Sequence, residues 1–215
     1  MRLVVFDLDG TITRRGTLAP YVFGLLRRRP WELARVACAL PAAVAFLLGR
    51  IDRGQLKGRL LRATLRGRSR AELDAWTAEF VPRLLARGVR PDAARAIEAH
   101  RKQGDVLVLL SASPDLYVPA IGARLGFDET VSTGIRWSGD RLDGALTTAN
   151  RRGPEKTRCL EALVSRHPSL ATAAYGNAAA DLDHLATVDE PLLVCGSWAA
   201  RRRAARVGIP SARWR

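Results

Sequence analysis

The chain has 215 residues, enough for one mid-sized domain or a core domain with a smaller insert, and too few for three domains. Its 47% hydrophobic and 26% charged composition excludes wholesale disorder, and no apolar stretch is expected to approach the roughly 18–20 residues that cross a bilayer as a helix. Lys+Arg 35 against Asp+Glu 21 gives +14, a balance that suits nucleic acid, anionic lipid or an anionic substrate.

The basic residues are unevenly placed: residues 14–70 hold thirteen arginines and Lys57 against Glu32 and Asp52 alone, so +12 of the charge sits in about a quarter of the chain. Acidic residues at positions 7 and 9 leave no room for a secretory signal core. Cys38, Cys159 and Cys195 are too few and too scattered for a disulfide framework or a zinc site. These features predict a cytoplasmic protein.

Leu3-Val4-Val5-Phe6 is a short apolar run suited to a strand buried on both faces, ending at Asp-Leu-Asp-Gly. From about 17 to 100 the pattern is helical. Trp76, Phe80, Leu84 and Leu85 share one face, Ser69 with Glu72 three residues on marks an N-terminus, and Gly88 a C-terminus. Val106–Leu110 predicts a second strand, ending at Ser111-Ala112-Ser113, and 115–125 a helix. Thr130–Trp137 and Leu142–Thr148 flank Ser138-Gly139-Asp140 as a hairpin. A helix over 155–166, strands at Leu170–Tyr175 and Leu192–Cys195, a short helix at Asp181–Ala186 and an Arg-rich terminal helix complete the chain.

Alternating strands and helices predict an α/β fold, a Rossmann-like doubly wound parallel sheet, whose ligands bind beyond the carboxyl ends of the strands. Asp7, Ser111 and Asn177 each fall just after such a strand. Asp7 and Asp9, at i and i+2, can face one site, where two close carboxylates need a cation or a shared proton. A divalent metal meets that need, leaving one carboxylate as nucleophile and the other as general acid/base. Gly10 lets backbone N–H groups approach an anion, and Thr11 adds a hydroxyl donor. A plain surface turn is the competing reading of Asp-Leu-Asp-Gly.

FDLDGT at 6–11 resembles the first motif of the haloacid-dehalogenase superfamily of aspartate-nucleophile phosphatases. LVLLSAS at 107–113 is similar to its second motif, GPEKTRCL with Lys156 to its third, and YGNAAADLDHL at 175–185 to its fourth. The resemblance implies Asp7 as nucleophile, Asp9 as general acid/base and Lys156 as a catalytic charge. It implies Gly10, Thr11, Ser111 and the adjoining Ala112 around the phosphoryl group, and Mg²⁺ held by Asp7, Asp9, Asn177 and Asp181. Asn177 departs from the acidic residue expected there; an amide oxygen can coordinate Mg²⁺ but brings no charge, which also admits a non-catalytic, basic membrane- or partner-binding protein on the same core.

The long insert resembles the helical, C1-type cap of subfamily IB, which includes phosphoserine phosphatases, and implies a core of residues 1–13 and 101–215 with a cap over 14–100. The cap acid that holds a substrate amino group falls near Gly16, where no acid is present; Arg59, in Gln55-Leu56-Lys57-Gly58-Arg59, resembles a substrate-binding arginine. Val36–Leu48 carries no charge, is interrupted by Pro41, and lies between Arg27-Arg28-Arg29-Pro30-Trp31 and Arg50, Arg53, Lys57 and Arg59. Such a segment reads either as an interfacial membrane contact over residues 27–59 or as a buried cap helix. The layout resembles bacterial phosphatidylglycerophosphatases, which implies a lipid or polyol phosphate substrate, with phosphoserine as the alternative. No GxxxxGK[ST] or GxGxxG loop is present, His100 and His167 lie outside every motif, His184 falls on the helix after the acidic residues of the fourth, and no module supports nucleic-acid binding.

Overall fold

A computed structural model describes residues 1–215. Strand β1 (Arg2–Phe6) is followed by α1 (Leu18–Leu26), a 3-10 segment (Pro30–Ala39), α2 (Leu40–Leu47), α3 (Arg53–Leu65), α4 (Arg70–Gly88) and α5 (Pro91–Lys102). Then come β2 (Val106–Pro114), α6 (Val118–Leu125), β3 (Glu129–Thr133), β4 (Ile135–Ser138), β5 (Arg141–Leu146) and α7 (Pro154–Arg166). The chain closes with β6 (Ala171–Gly176), a 3-10 turn (Ala179–Asp181), α8 (Leu182–Leu185), β7 (Glu190–Val194), α9 (Trp198–Arg206) and β8 (Ser211–Ala212).

Six strands form one parallel sheet in the order β3-β2-β1-β6-β7-β8, and β4 and β5 form a separate antiparallel hairpin. The sheet is doubly wound because its central strands are apolar on both faces. Val4, Phe6, Leu107 and Leu109 pack with α1, α4, α5 and α6, whereas Leu3, Val5, Val108 and Leu110 pack with α7, α8 and α9.

The predicted strands and helices occur, with four adjustments. β2 does not stop at Leu110; it runs to Pro114, and its register against β3 breaks between Leu110 and Pro114, which turns the serines toward the carboxyl edge. Thr130–Trp137 divides, its first part joining the main sheet as β3 and its second the hairpin. Gly88 ends α4 without the left-handed conformation, and the chain leaves through extended Val89. The insert also closes earlier than residue 100: Arg14 N donates to Gly88 O and Arg90 N to Ile12 O, so its two stems lie side by side, and α5 packs on β2 as a helix of the sheet layer.

Local caps fix the insert. Ser69 accepts from Glu72 N at 3.2 Å, and Asp52 and Gln55 form a reciprocal capping box at the start of α3. The buried stripe of α3 runs Gly54, Gly58, Leu61 and Leu65. The hairpin rests on this helix: Gly144, at φ +88°, lies where a Cβ would stand 2.9 Å from the backbone N of Arg62. Insert and sheet share one apolar cluster, in which Tyr21, Trp76 and Phe80 meet Tyr117 of the sheet layer.

Pro30–Leu47 forms 18 continuous helical residues. Counting Glu32 and Arg35 within it, the segment is long and apolar enough to cross a membrane by length and composition, which corrects the expectation that no apolar stretch approaches that length; the two charges conceal it in the sequence. Pro41 does not break this segment; it occupies the first turn of α2, where its missing N–H costs nothing.

Candidate active site

The site lies at the carboxyl ends of β1, β2 and β6, where backbone groups no longer pair within the sheet and side chains converge. Asp7 follows β1 directly, and its N–H still donates to Tyr175 O at 2.9 Å, which anchors the turn to β6. Its buried carboxylate accepts Lys156 Nζ at 2.6 Å on Oδ1 and Thr11 Oγ1 at 3.0 Å on Oδ2. Lys156, in the first turn of α7, is only 2% exposed and also donates to Asp181 Oδ1 at 3.0 Å. The other oxygen of Asp181 accepts from the backbone N–H groups of Asn177, 3.1 Å, and Ala178, 2.8 Å.

Two buried carboxylates thus share one ammonium. Burial pushes Asp7 up to about 6; Lys156 opposes the shift, and Asp181 and Asp9 add to it. Burial also acts against the charge on Asp181, but Lys156, His184 and the Ala178 amide outweigh it and bring that carboxyl down to about 2. The Lys156 ammonium is held charged by Asp181 and Asp7 against its own burial. His184 is buried beside them, and burial together with Lys156 pulls its pKa down to about 3 despite Asp181.

Asp9 is directed elsewhere. Its carboxylate accepts from Thr17 N at 2.8 Å and Ser113 Oγ at 2.5 Å, and Thr17 Oγ1 in turn lies 3.0 Å from the buried Tyr117 hydroxyl. The expectation that Asp7 and Asp9 share a cation through their side chains is therefore corrected: the turn sends one carboxylate to Lys156 of α7 and the other between Ser113 of β2 and Thr17 of the insert. Asp9 remains close enough to act on Asp7 electrostatically.

Gly10, at φ +90°, allows Asn177 to lie directly over the turn; a Cβ there would stand 2.0 Å from Asn177 Nδ2. Ser111 is fully buried and its Oγ accepts from Ser113 N at 3.1 Å. The Ala112 carbonyl accepts from Thr133 Oγ1 and from Lys57 Nζ, and Lys57 also donates to Asn150 Oδ1 at 2.5 Å. Burial pulls the Lys57 pKa down to about 8, with Asp9 opposing and Arg152 adding.

A cleft of about 270 Å³ opens beside Asp9, lined by Leu18, Phe46, Arg53, Leu56, Lys57, Leu60, Ala112, Ser113, Asn150 and Arg152. The α3 residues here are 53, 56, 57 and 60, one helical face. Arg59 is rotated off that face and lines a different depression with Arg62, Ala145 and Leu146. Arg59, expected to face the substrate, therefore does not line this cleft, whereas Lys57 does. Ser113, Thr17, Asn150 and Arg152 were not anticipated as site residues; Ser113 lies inside the second motif, while the others carry no local signal of their own.

No three His, Cys, Asp or Glu side chains cluster into a ready-made metal cage. The donor set around Asp7, two carboxylates and an amide, nevertheless fits a hard cation that keeps waters and substrate oxygens in its shell. The Asp7–Lys156–Asp181 group carries two carboxylates against one ammonium, one positive charge short of neutrality.

A doubly wound parallel sheet with two buried carboxylates, a buried lysine and a helical insert at its carboxyl edge defines an α/β protein with a charged site at its strand ends. The chain belongs to the haloacid dehalogenase-like hydrolases, whose family model matches residues 4–186. It is 35% identical over 193 residues to Protein CicA of Caulobacter vibrioides (strain NA1000 / CB15N), covering 87% of this chain and 83% of that protein. Its fold is similar to that of a protein of unknown function from Bordetella pertussis Tohama I, with a TM-score of 0.80, 21% identity and 98% and 97% of the two chains covered. It is also similar to a phosphoserine phosphatase solved as a phospho-aspartyl intermediate analogue, with a TM-score of 0.66, 16% identity and 94% and 90% coverage.

Proposed function

We propose that this protein is a phosphatase that hydrolyses a phosphomonoester whose alcohol carries no ammonium group, a lipid or polyol phosphate such as phosphatidylglycerophosphate, through an aspartyl-phosphate on Asp7. The lining of the cleft carries this reading. Arg53, Lys57 and Arg152 face it beside Leu18, Phe46, Leu56 and Leu60, and its only carboxylate, Asp9, is already held by Thr17 and Ser113. A substrate ammonium would find three cations and no free partner; an anionic headgroup with an apolar neighbour finds both of its complements.

In the first step an Asp7 oxygen bonds to phosphorus as the ester P–O bond breaks, and the departing alkoxide takes a proton from Asp9. In the second, Asp9 takes a proton from water, which attacks the aspartyl-phosphate, releases phosphate and restores Asp7. Lys156, Thr11, Ser111 and the backbone N–H groups around Gly10 orient the phosphoryl group and neutralise its charge, where phosphoryl transfer derives most of its acceleration. Asp7, Asn177 and Asp181 would hold Mg²⁺, which when bound supplies the missing positive charge. The Asp9 side chain is left for proton transfer, a role of about 10²–10⁴ in rate. The solved phospho-aspartyl analogue of a phosphoserine phosphatase with this fold supports the covalent route.

Phosphate release from phosphatidylglycerophosphate, lysophosphatidate, glycerol phosphate, phosphoserine and an aryl phosphate tests the proposal, each with Mg²⁺, with EDTA and with Asp7→Asn. The expected result is Mg²⁺-dependent release, fastest from a lipid or glycerol phosphate and absent in Asp7→Asn. Preference for phosphoserine would move the substrate to the amine class, and silence on every ester, aryl phosphate included, would refute the catalytic assignment.

A further inference from the structure

Most of the helical segment between α1 and α3 turns its apolar side chains to solvent. Trp31 is 74% exposed, Leu40 59%, Val44 52% and Leu47 81%, whereas only Ala39 and Ala42 are buried. Leu40, Val44 and Leu47 follow one another at spacings of four and three, so they form a single stripe on α2. In a helix packed on its own protein such a stripe faces the core; here it faces outward.

Its surroundings are cationic. Arg27, Arg28 and Arg29 precede it, Arg35 lies within it and Arg50 and Arg53 follow, all exposed. The only two acids between residues 14 and 70 are engaged, Glu32 with Arg68 and Asp52 in the α3 capping box. An exposed apolar stripe with Trp at one border and a halo of arginines matches the interface of an anionic bilayer: acyl chains for the stripe, phosphates for the arginines.

We infer that this face docks on an anionic lipid surface and lies in its plane. Spanning is disfavoured by the fold. Leu25 and Leu26 of α1 and Leu61 and Leu65 of α3, which lead into and out of the segment, belong to one buried cluster, so both ends stay on the same side of the bilayer. Phe46, on the inner side of α2, lines the cleft beside Arg53, whose guanidinium lies 5.7 Å from the ring centroid. Docking therefore sets the cleft mouth at headgroup depth; this last point rests on the proposed phosphatase function and names its substrate's source as the bilayer.

The test is flotation of the full chain with phosphatidylcholine–phosphatidylglycerol vesicles and with pure phosphatidylcholine vesicles, alongside turnover of a soluble aryl phosphate. Flotation with the anionic vesicles only, release by high salt or alkaline carbonate, and binding weakened about tenfold or more in Leu40→Asp/Val44→Asp/Leu47→Asp support the inference. Unchanged aryl phosphate turnover in that variant shows that it is folded. Failure of active wild-type protein to float, or equal flotation of the variant, overturns it. Resistance to carbonate would mean a spanning segment, and a wild-type dimer split by the variant without any vesicle binding would mean a second copy covers the face; either refutes in-plane docking. Vesicle binding by a protein inert on every phosphate ester would leave the docking face standing and remove the phosphatase reading alone.

Discussion

Asp7 is held in a position that costs stability in order to be reactive. Its folded pKa, about 6, lies above the ordinary carboxylate value of 3.8, so in the metal-free protein the native state binds the extra proton between those values. The sign follows from linkage: the stabilisation is fully present below pH about 4 and is lost as pH rises through 6. Asp181, pulled down to about 2, has the opposite sign and acts only below pH 4, outside this window. Asp7→Asn removes the penalty while Lys156 keeps Asp181 as a partner. Urea unfolding of EDTA-treated protein at pH 8 is expected to show Asp7→Asn more stable than wild type by on the order of 1–3 kcal/mol, with the difference vanishing near pH 4. A destabilised Asp7→Asn at pH 8 would show that Thr11 and Lys156 over-compensate the burial.

At the scale of the element, α3 is the informative case, because it carries the cleft on one face and the hairpin on another. Gly144 has both a left-handed φ and no room for a side chain against the Arg62 backbone. Gly144→Ala is expected to lower stability by about 1 kcal/mol or more in thermal unfolding, and to raise KM more than it lowers kcat, since it tilts Arg53, Leu56 and Lys57 while leaving Asp7 untouched. The same helix shows where sequence reading ran out. Its buried stripe contains Gly54 and Gly58, which carry no hydrophobic signal, so the phase of the helix, and with it the choice between Lys57 and Arg59, could not be read from hydropathy. β1 and β2 were legible because Leu3–Phe6 and Val106–Leu110 are compact apolar runs ending in polar residues. Asp7, Lys156 and Asp181 were legible as motif positions, but Thr17, Asn150 and Arg152 reach the cleft only through tertiary packing.

Across the whole molecule, the insert is not an independent body. Tyr21, Trp76 and Phe80 share the cluster that contains Phe6, Leu107 and Tyr117, so neither layer has a complete core alone. Thermal unfolding is accordingly expected to be one transition, coincident by tryptophan fluorescence and far-UV circular dichroism; a separate early loss of fluorescence change would mean that the insert melts by itself. Sequence periodicity marked the stretch from about 17 to 100 as helical and located α4 within it, but the end of the insert near residue 90 is set by the paired stems at Ile12–Arg14 and Gly88–Arg90, a contact with no local signature.

That shared aromatic cluster also governs how anything reaches Asp7. Tyr21 and Phe80 lie 4.6 and 5.7 Å from the Tyr117 ring. Swinging the insert away as a rigid body would bring these rings into water, and at about 25 cal/mol per Å² over large aromatic surfaces the motion costs several kcal/mol. The segment from Pro30 to Leu48 has far less to lose, with only Ala39 and Ala42 buried. Phe46 is the one residue of this segment that lines the cleft, so the readily displaced part of an otherwise fixed wall is that single edge, and entry is expected to depend on it rather than on a hinge between two halves.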